Sequence, residues 1–179
     1  MTAASEIAQL GNPVLRQYAE AVVDVQASEI RDIIATMQSS LAATSGVGIA
    51  APQIGIAKQI IIIASRPTPR YPLAPLMEPT VMINPDFDVL TDNQEKDWEG
   101  CLSIPGIRAL VPRYRDIRVH YTDPCGALED MQLSGFVARI FQHEVDHLEG
   151  KTYLDRVENN VDIVAESEFF KLIATTKAP

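Results

Sequence analysis

The chain is predicted to fold as an α+β domain, with mixed or antiparallel β-sheets around a central helix and further helices towards both ends. Three observations carry that expectation. Near the start, "ASEIRDIIATMQSSLAATSG" places Ile30, Ile33, Ile34, Met37 and Leu41 on one stripe, as an amphipathic helix does. In mid-chain, "KQIIIIAS", "TVMINP" and "IRVHYTDPCG" are short β-branched or alternating runs closed by turn residues. Towards the end, apolar positions recur at helical spacing from about Ser134 to Leu148.

Each element has a local reason. Ser28 is the expected N-cap of the first helix, and Gly46 its stop. The run Ile60–Ala64 is too short for anything but a buried strand, and far below the roughly 20 residues of a membrane span. Pro67, Pro69, Pro72, Pro75 and Pro79 then exclude helix and central strand, so residues 65–79 are expected as a surface loop. In "IRVHYTDPCG", Val119 and Tyr121 share one face, and Arg118 and His120 the other. Ser134 can cap the late helix and Gly150 can end it, while "VDIVAESEFFKLI" is a further helix candidate.

With 179 residues and 46% apolar content, residues 1–179 are expected to form one domain with a sizeable core. The start "MTAASEIAQL" has neither the basic n-region nor the apolar run of a secretory signal, so a cytoplasmic, non-membrane protein is expected. A net charge of -9 argues against nonspecific binding to nucleic acid, which relies on Lys and Arg at phosphates. Cys101 and Cys125 lack CxxC spacing, which excludes a disulfide framework and a four-cysteine zinc cluster.

The stretch "QHEVDHLEG" carries the chemistry. His143 and His147 lie one helical turn apart and point the same way, with Glu144 placed between them as a general base beside a metal-bound water would be. Catalytic sites normally use three protein ligands and one open position, so a third is needed. Among the three histidines only His120 is spare, and its strand pattern suits an ordinary surface role. The pattern HExxHxxGxxH is matched through Gly150 but has Tyr153 where the last histidine belongs, and phenol replaces imidazole poorly. Glu166 and Glu168 lie downstream at spacings that a helix-borne carboxylate ligand would allow, although a solvated helix face is commoner. Cys101, in "WEGCLSIPG", is the other candidate: a thiolate binds divalent metals well, Gly100 permits close backbone approach, and Pro105 and Gly106 are expected to turn the chain. A lone cysteine is otherwise a small buried apolar residue. The segment "GVGIAAPQIG" packs small residues around a strand-like stretch ending in Gln53, where a peptide could lie along the backbone and an amide N–H could meet a developing oxyanion.

Taken together, "GVGIAAPQ", "EGCLS" and "QHEVDH" resemble the three signature motifs of the peptide deformylase family, in order and at family-like separations. The likeness extends through "LGNPVLRQYAEAV", "SIPGIRALVPRYRDIRVHYTDPCG" and "HLEGKTYLDRV", covering roughly Ile7 to Val157. The resemblance implies a hydrolase that removes the formyl group from the N-terminal formyl-methionine of new bacterial polypeptides. It implies Cys101, His143 and His147 as metal ligands, Glu144 as the proton carrier, and the Gln53 side chain with the Leu102 backbone N–H as oxyanion donors. Ferrous iron is the ion that the resemblance implies, with zinc, nickel or cobalt able to occupy the site, whereas ligand chemistry alone would suggest zinc.

Phe136 and Ile140 precede the histidines at helical spacing, and the resemblance sets them beside the methionine side chain. Val137, Phe141, Val145 and Leu148 occupy the adjoining face, where an apolar stripe is ordinarily core. Val47 and Gly48 match backbone positions that pair with the peptide, Arg108 matches an arginine near its chain, and Gly100 is grouped with them as substrate-binding. Lys151 and Thr152 depart from the apolar residues common after "HLEG". Some members use a C-terminal helix to meet the ribosome; here the variable tail 158–179 carries only Lys171 and Lys177 as bases, and ribosome docking is left open.

Overall fold

A computed structural model of the protein describes residues 4–68 and 71–176. In chain order the elements are α1 (Ser28–Ala42), β1 (Gly48–Ala50), β2 (Ile60–Ser65), β3 (Met77–Val89), β4 (Gln94–Cys101), β5 (Ile104–Tyr114), β6 (Asp116–Thr122), β7 (Leu128–Ser134), α2 (Gly135–Leu148), β8 (Ile163–Ala165) and α3 (Glu166–Thr176). Two antiparallel sheets form among the described residues, one in the order β1-β2-β3-β6-β7 and the other β4-β5-β8. None of the described helices is long and apolar enough to cross a membrane.

The unbroken isoleucine run has a direct cause. Side chains alternate across a strand, so a strand covered on both faces must be apolar throughout. Ile61 and Ile63 of β2 join Met82, Ile117 and Val119 in the core beneath α2, with Val137, Phe141 and Val145 of that helix. Ile60 and Ile62 face the other way, packing with Ile33, Ile34 and Met37 of α1. The large sheet therefore lies between α1 and α2. In β6, Val119 and Tyr121 are buried while Arg118 is exposed, as the alternation predicts.

Helix α2 is buried along nearly its whole length, His143, Glu144, Asp146 and His147 included. Its second face meets the small sheet, where charge replaces hydrocarbon. Arg113 of β5 donates through Nε to Glu99 Oε1 of β4 at 2.9 Å, through Nη2 to Glu99 Oε2 at 3.0 Å, and through Nη1 to Asp146 Oδ2 of α2 at 2.6 Å. Arg139 adds a contact to Glu99 Oε1 at 2.9 Å, and Arg156 one to Asp146 Oδ1 at 2.6 Å. Desolvation works against so buried a set, but each carboxylate is met by at least two cationic side chains. Glu99 is thereby held below the usual carboxylate range despite the upward push of burial, which the Arg113 charge and the His143 bond overcome.

The ends of α2 are also fixed. Gly150 adopts φ 68°, a left-handed conformation suited to glycine just beyond a helix. A Cβ there would lie 2.8 Å from the Arg16 carbonyl carbon and oxygen, so the N-terminal segment rests directly against it. Ala19 N–H donates to Leu148 O at 2.8 Å, taking one of the carbonyls that the helix end leaves open.

Several boundaries differ from the sequence expectation. The N-cap of α1 is Ala27 and makes no side-chain cap bond; Ser28 is already inside the helix. The helix ends at Ala42, before Gly46, because the Thr44 N–H and hydroxyl both reach back to Leu41 O. The proline-rich loop is shorter than 65–79: Ser65 belongs to β2 and β3 begins at Met77, with Pro79 inside the strand. Pro79 falls among residues that the β2–β3 pairing skips, between Ser65↔Met77 and Ile63↔Thr80, where a missing N–H costs no ladder bond. Pro69 lies outside the described residues. The chain reverses at Leu102–Ser103 and not at Pro105–Gly106, which belong to β5. "VDIVAESEFFKLI" is not one helix, since Ile163–Ala165 adds a strand to β5 before α3 begins at Glu166. Ser134 occupies the N-cap position of α2 without a side-chain bond.

Two changes test these anchors. Arg113→Met takes one cation from each of two buried carboxylates and is expected to lower unfolding stability by about 3–5 kcal/mol in urea titrations. Asp155 accepts from Thr152 N–H at 2.7 Å and from Arg16 Nη1 at 2.6 Å, closing a capping box on the 3₁₀ turn Tyr153–Arg156. Burial pushes its carboxyl up, but these bonds hold it below its ordinary 3.8. Its contribution is therefore present above pH 3.8 and lost as the pH falls through the depressed value. Asp155→Asn is expected to cost roughly 1 kcal/mol at pH 7, with the difference narrowing in acid-unfolding curves below pH 4.

Candidate metal centre

Helix α2 sets His143 and His147 one turn apart, their ring centroids 5.2 Å from each other. Strand β4 ends on Cys101 and turns back at once, which brings its Sγ to 3.2 Å from His147 Nε2. The Cys101 sulfur and one nitrogen of each imidazole all lie within 4.8 Å of one another, the one such set of three ligand residues among the described residues. His143 Nδ1 is 2.8 Å from Glu99 Oε2, so the second ring nitrogen is the one left for the cluster. Tyr153 stacks on the His143 ring at 5.8 Å and 18°, and donates its hydroxyl to Ile107 O at 3.0 Å. The phenol thus occupies the position of a third histidine in sequence while serving as a wall behind the second ligand.

The electrostatics suit a cation. Burial pushes the Cys101 thiol up, yet the adjacent imidazoles hold it well below its ordinary value, in the thiolate form a metal requires. Burial drives His143 down, and its bonds to Cys101 and Glu99 raise it well above its usual value. Burial lifts Glu144 to about 7, and the neighbouring His143 and His147 only partly oppose it. Among buried side-chain atoms, Glu144 Oε2 and His147 Nδ1 have no protein hydrogen-bond partner. A preformed thiolate–imidazole set beside an unpartnered carboxylate oxygen fits a divalent ion with an open position.

The neighbouring groups are equally constrained. The 3₁₀ turn Ala51–Ile54, where the sequence suggested continued strand, carries Gln53 into the interior at 1% exposure. Its Oε1 accepts from Ala50 N–H at 2.9 Å, which fixes the amide orientation. Nε2 then faces Ser103 Oγ at 3.2 Å and Cys101 Sγ at 3.4 Å. Gly48 leaves room for the Glu144 carboxylate, and Gly100 for the Arg108 guanidinium; a Cβ at either glycine would overlap the named group.

These groups open on a cavity of about 250 Å³. Val47, Gly48, Gly100, Arg108, Phe136 and Ile140 all line it, as do Gln53, Leu102, Cys101, His143 and Glu144. His147 does not; it lies fully buried behind them. The rival ligands are elsewhere: Glu166 pairs with Arg108 at 2.6 Å and Glu168 with Lys171 at 2.6 Å, while His120 sits between Asp88 and Asp130 at 3.1 and 2.8 Å. Sequence reasoning missed two contributors and misassigned a third. Glu99 was visible as the acidic neighbour in "WEGC". Tyr71, which reaches from the proline-rich loop to pack its ring, tilted, against Phe136 with centroids 4.5 Å apart, had no distinguishing signal. Glu166 was weighed as a ligand and proves to be a wall of the cavity.

Comparison with known proteins agrees with this geometry. Residues 4–162 match the family model described as polypeptide deformylase. The chain is 50% identical over 167 residues to peptide deformylase 2 of Nostoc sp., covering 93% of each chain. It is 44% identical over 153 residues to peptide deformylase 1 of Nitrosomonas europaea, covering 86% of this chain and 87% of the relative. Among solved structures, the Met-Ala-Ser-bound class I type b peptide deformylase of Acinetobacter baumannii matches with a TM-score of 0.84 and 38% identity, over 88% of this chain and 100% of that one. The actinonin complex of a Synechococcus elongatus peptide deformylase matches with a TM-score of 0.77 and 38% identity, over 88% of this chain and 81% of that one. A metal-type cluster, the fold around it and relatives matched along most of the sequence lead to one conclusion: the chain belongs to the polypeptide deformylase family, metal-dependent enzymes that remove N-formyl groups from nascent polypeptides.

Proposed function

We propose that Cys101, His143 and His147 hold the metal and that Glu144, Gln53 and the Leu102 N–H carry the reaction. The observation that supports this most directly is the convergence of the Cys101 sulfur and both imidazoles within 4.8 Å. A divalent ion bound there supplies Lewis-acid polarisation and lowers the pKa of a bound water. Ferrous iron is the ion we assign by resemblance, although one thiolate and two imidazoles equally suit zinc.

Around it the residues divide the work. Glu144, raised to about 7 and with one oxygen open to the site, takes the proton of the attacking water and delivers it to the departing amine. Oxygen adds to the formyl carbon, the carbon–nitrogen bond breaks, and the products are formate and a free amino terminus. As charge builds on the former carbonyl oxygen, Gln53 Nε2 and the Leu102 N–H donate to it. The Gln53 amide needs no reorientation, because Ala50 already fixes its other end. Phe136 and Ile140 hold the methionine side chain, the Val47 and Gly48 backbone pairs with the peptide, and Arg108 and Gly100 border its path. The substrates are N-formylmethionyl nascent chains leaving the ribosome in a bacterial-type cytoplasm, and the chain acts on them as a single catalytic domain.

Formate release from formyl-Met-Ala-Ser, measured on anaerobically prepared iron, zinc and nickel forms, is the direct test, and no release from any form would overturn the reading. Cys101→Ala is expected to lose stoichiometric metal in elemental analysis; full retention would return a carboxylate to the ligand set. Glu144→Gln should keep the metal and lose roughly 10²–10⁴ in kcat. Gln53→Ala should lose roughly 10²–10³ in kcat with the ligands unaltered.

A further inference from the structure

The β4–β5 ladder runs from Gln94↔Tyr114 to Glu99↔Ala109, but its next pair is Cys101↔Ile104. Residues 105–108 of β5 therefore stand opposite Gly100 alone, a wide bulge without ladder partners on that side. The bulge borders the site: Gly100, Pro105, Gly106, Ile107 and Arg108 all line the cavity. On its other edge β8 supports it, through Ile107↔Ala165 and Arg108↔Val164. A wall built this way yields towards the cavity unless something ties it from beneath.

Tyr153 is placed to do so. It is 1% exposed, in the apolar cluster of the small sheet with Ile104, Ala109 and Val111. Its hydroxyl donates to Ile107 O at 3.0 Å, while its ring lies near-parallel to the His143 imidazole, at 18°. The turn that carries it, Tyr153–Arg156, is itself fixed by the Asp155 bonds to Thr152 and by the Arg156 bond to Asp146 of α2. One side chain thus spans from a proposed ligand ring on α2 to the backbone of the bulged wall.

Resting on the deformylase reading, we infer that Tyr153 is a positioning residue that sets the distance between the metal centre and the wall along which the peptide runs, acting through the Ile107 carbonyl. The ring alone suffices for packing behind His143; the hydroxyl is what reaches the wall. Without it, Ile107 O loses this donor and the bulge relaxes, so residues downstream of the methionine meet a wall that must be ordered on binding. The methionine, seated against Phe136 and Ile140, does not depend on that wall.

The test uses full-length metal-loaded Tyr153→Phe, which keeps the ring and loses the donor. Two substrates read the difference: formyl-Met-Ala-Ser, which extends along the wall, and formyl-methioninamide, which stops before it. For the variant, kcat/KM on the first is expected to fall roughly three- to tenfold, chiefly through KM, with less than about a twofold change on the second. Metal content and the visible absorption of the cobalt-loaded form should match wild type. A purely structural role would lower both substrates equally; that result, no fall on either, or loss of metal overturns the inference. Should the variant fail to fold, wild type decides alone. In zinc-loaded enzyme titrated with Met-Ala-Ser, the carbon-13 resonances of the Ile107 carbonyl and of Tyr153 Cζ must shift together, and either one remaining still overturns the inference. These failures leave the deformylase reading intact, whereas no turnover of formyl-Met-Ala-Ser by wild type overturns both.

Discussion

The contact between Arg113 and its two carboxylates decides where everything catalytic sits. Glu99 lies on β4 of the small sheet, Asp146 lies on α2, and Arg113 bridges them from the neighbouring strand β5. Arg139 of α2 adds bonds of its own to Glu99 Oε1 and Glu95 O of β4, so strand and helix meet through directional contacts, which fix register more closely than apolar packing does. The proposed metal site needs that accuracy, because its sulfur comes from the strand and both its nitrogens from the helix. Glu99 makes the link direct, since the carboxylate that receives Arg113 also holds His143 by its Nδ1. The ion pair and the orientation of the ligand are one structure.

The cost of so much buried charge is met by saturation. Arg113, Arg139 and His143 converge on Glu99, while Arg113 and Arg156 converge on Asp146. Removing any one cation leaves a carboxylate short, so the network fails unevenly and the penalty exceeds that of a single surface pair. The apolar half of the molecule behaves differently. Sheet and helices there share a continuous core through the two faces of β2, where single side chains can be altered with local relaxation.

Much of this was legible in the chain, for identifiable reasons. Period and composition exposed α1, α2, β2 and β6, because each buries a face wide enough to leave a repeating pattern. The ligand residues were legible because their chemistry is scarce: two cysteines and three histidines leave few combinations. What escaped was set by pairing. Strand β4 reads as charged, "QEKDWEGC", since both faces of its first half are exposed and its fixed position comes from β5. Strand β8 was absorbed into a helix because three residues cannot announce a period of their own. Pro79 looked like a strand breaker until the skipped register beside it was known. Glu166 is the sharpest case: its position in the chain fitted a ligand, while its real neighbour, Arg108, was decided by a strand pairing no local pattern encodes.

The seating of Gly150 against Arg16 has a bearing on how the molecule is born. The end of α2 is latched by the Arg16–Ala19 stretch, through close backbone contact and the Ala19 bond to Leu148. That joins two segments far apart in sequence, a long loop to close before any local gain repays it. Cys101 likewise waits for a helix that has yet to emerge. An enzyme that trims the beginnings of other chains can therefore complete its own metal pocket only once segments far apart along its own chain have met.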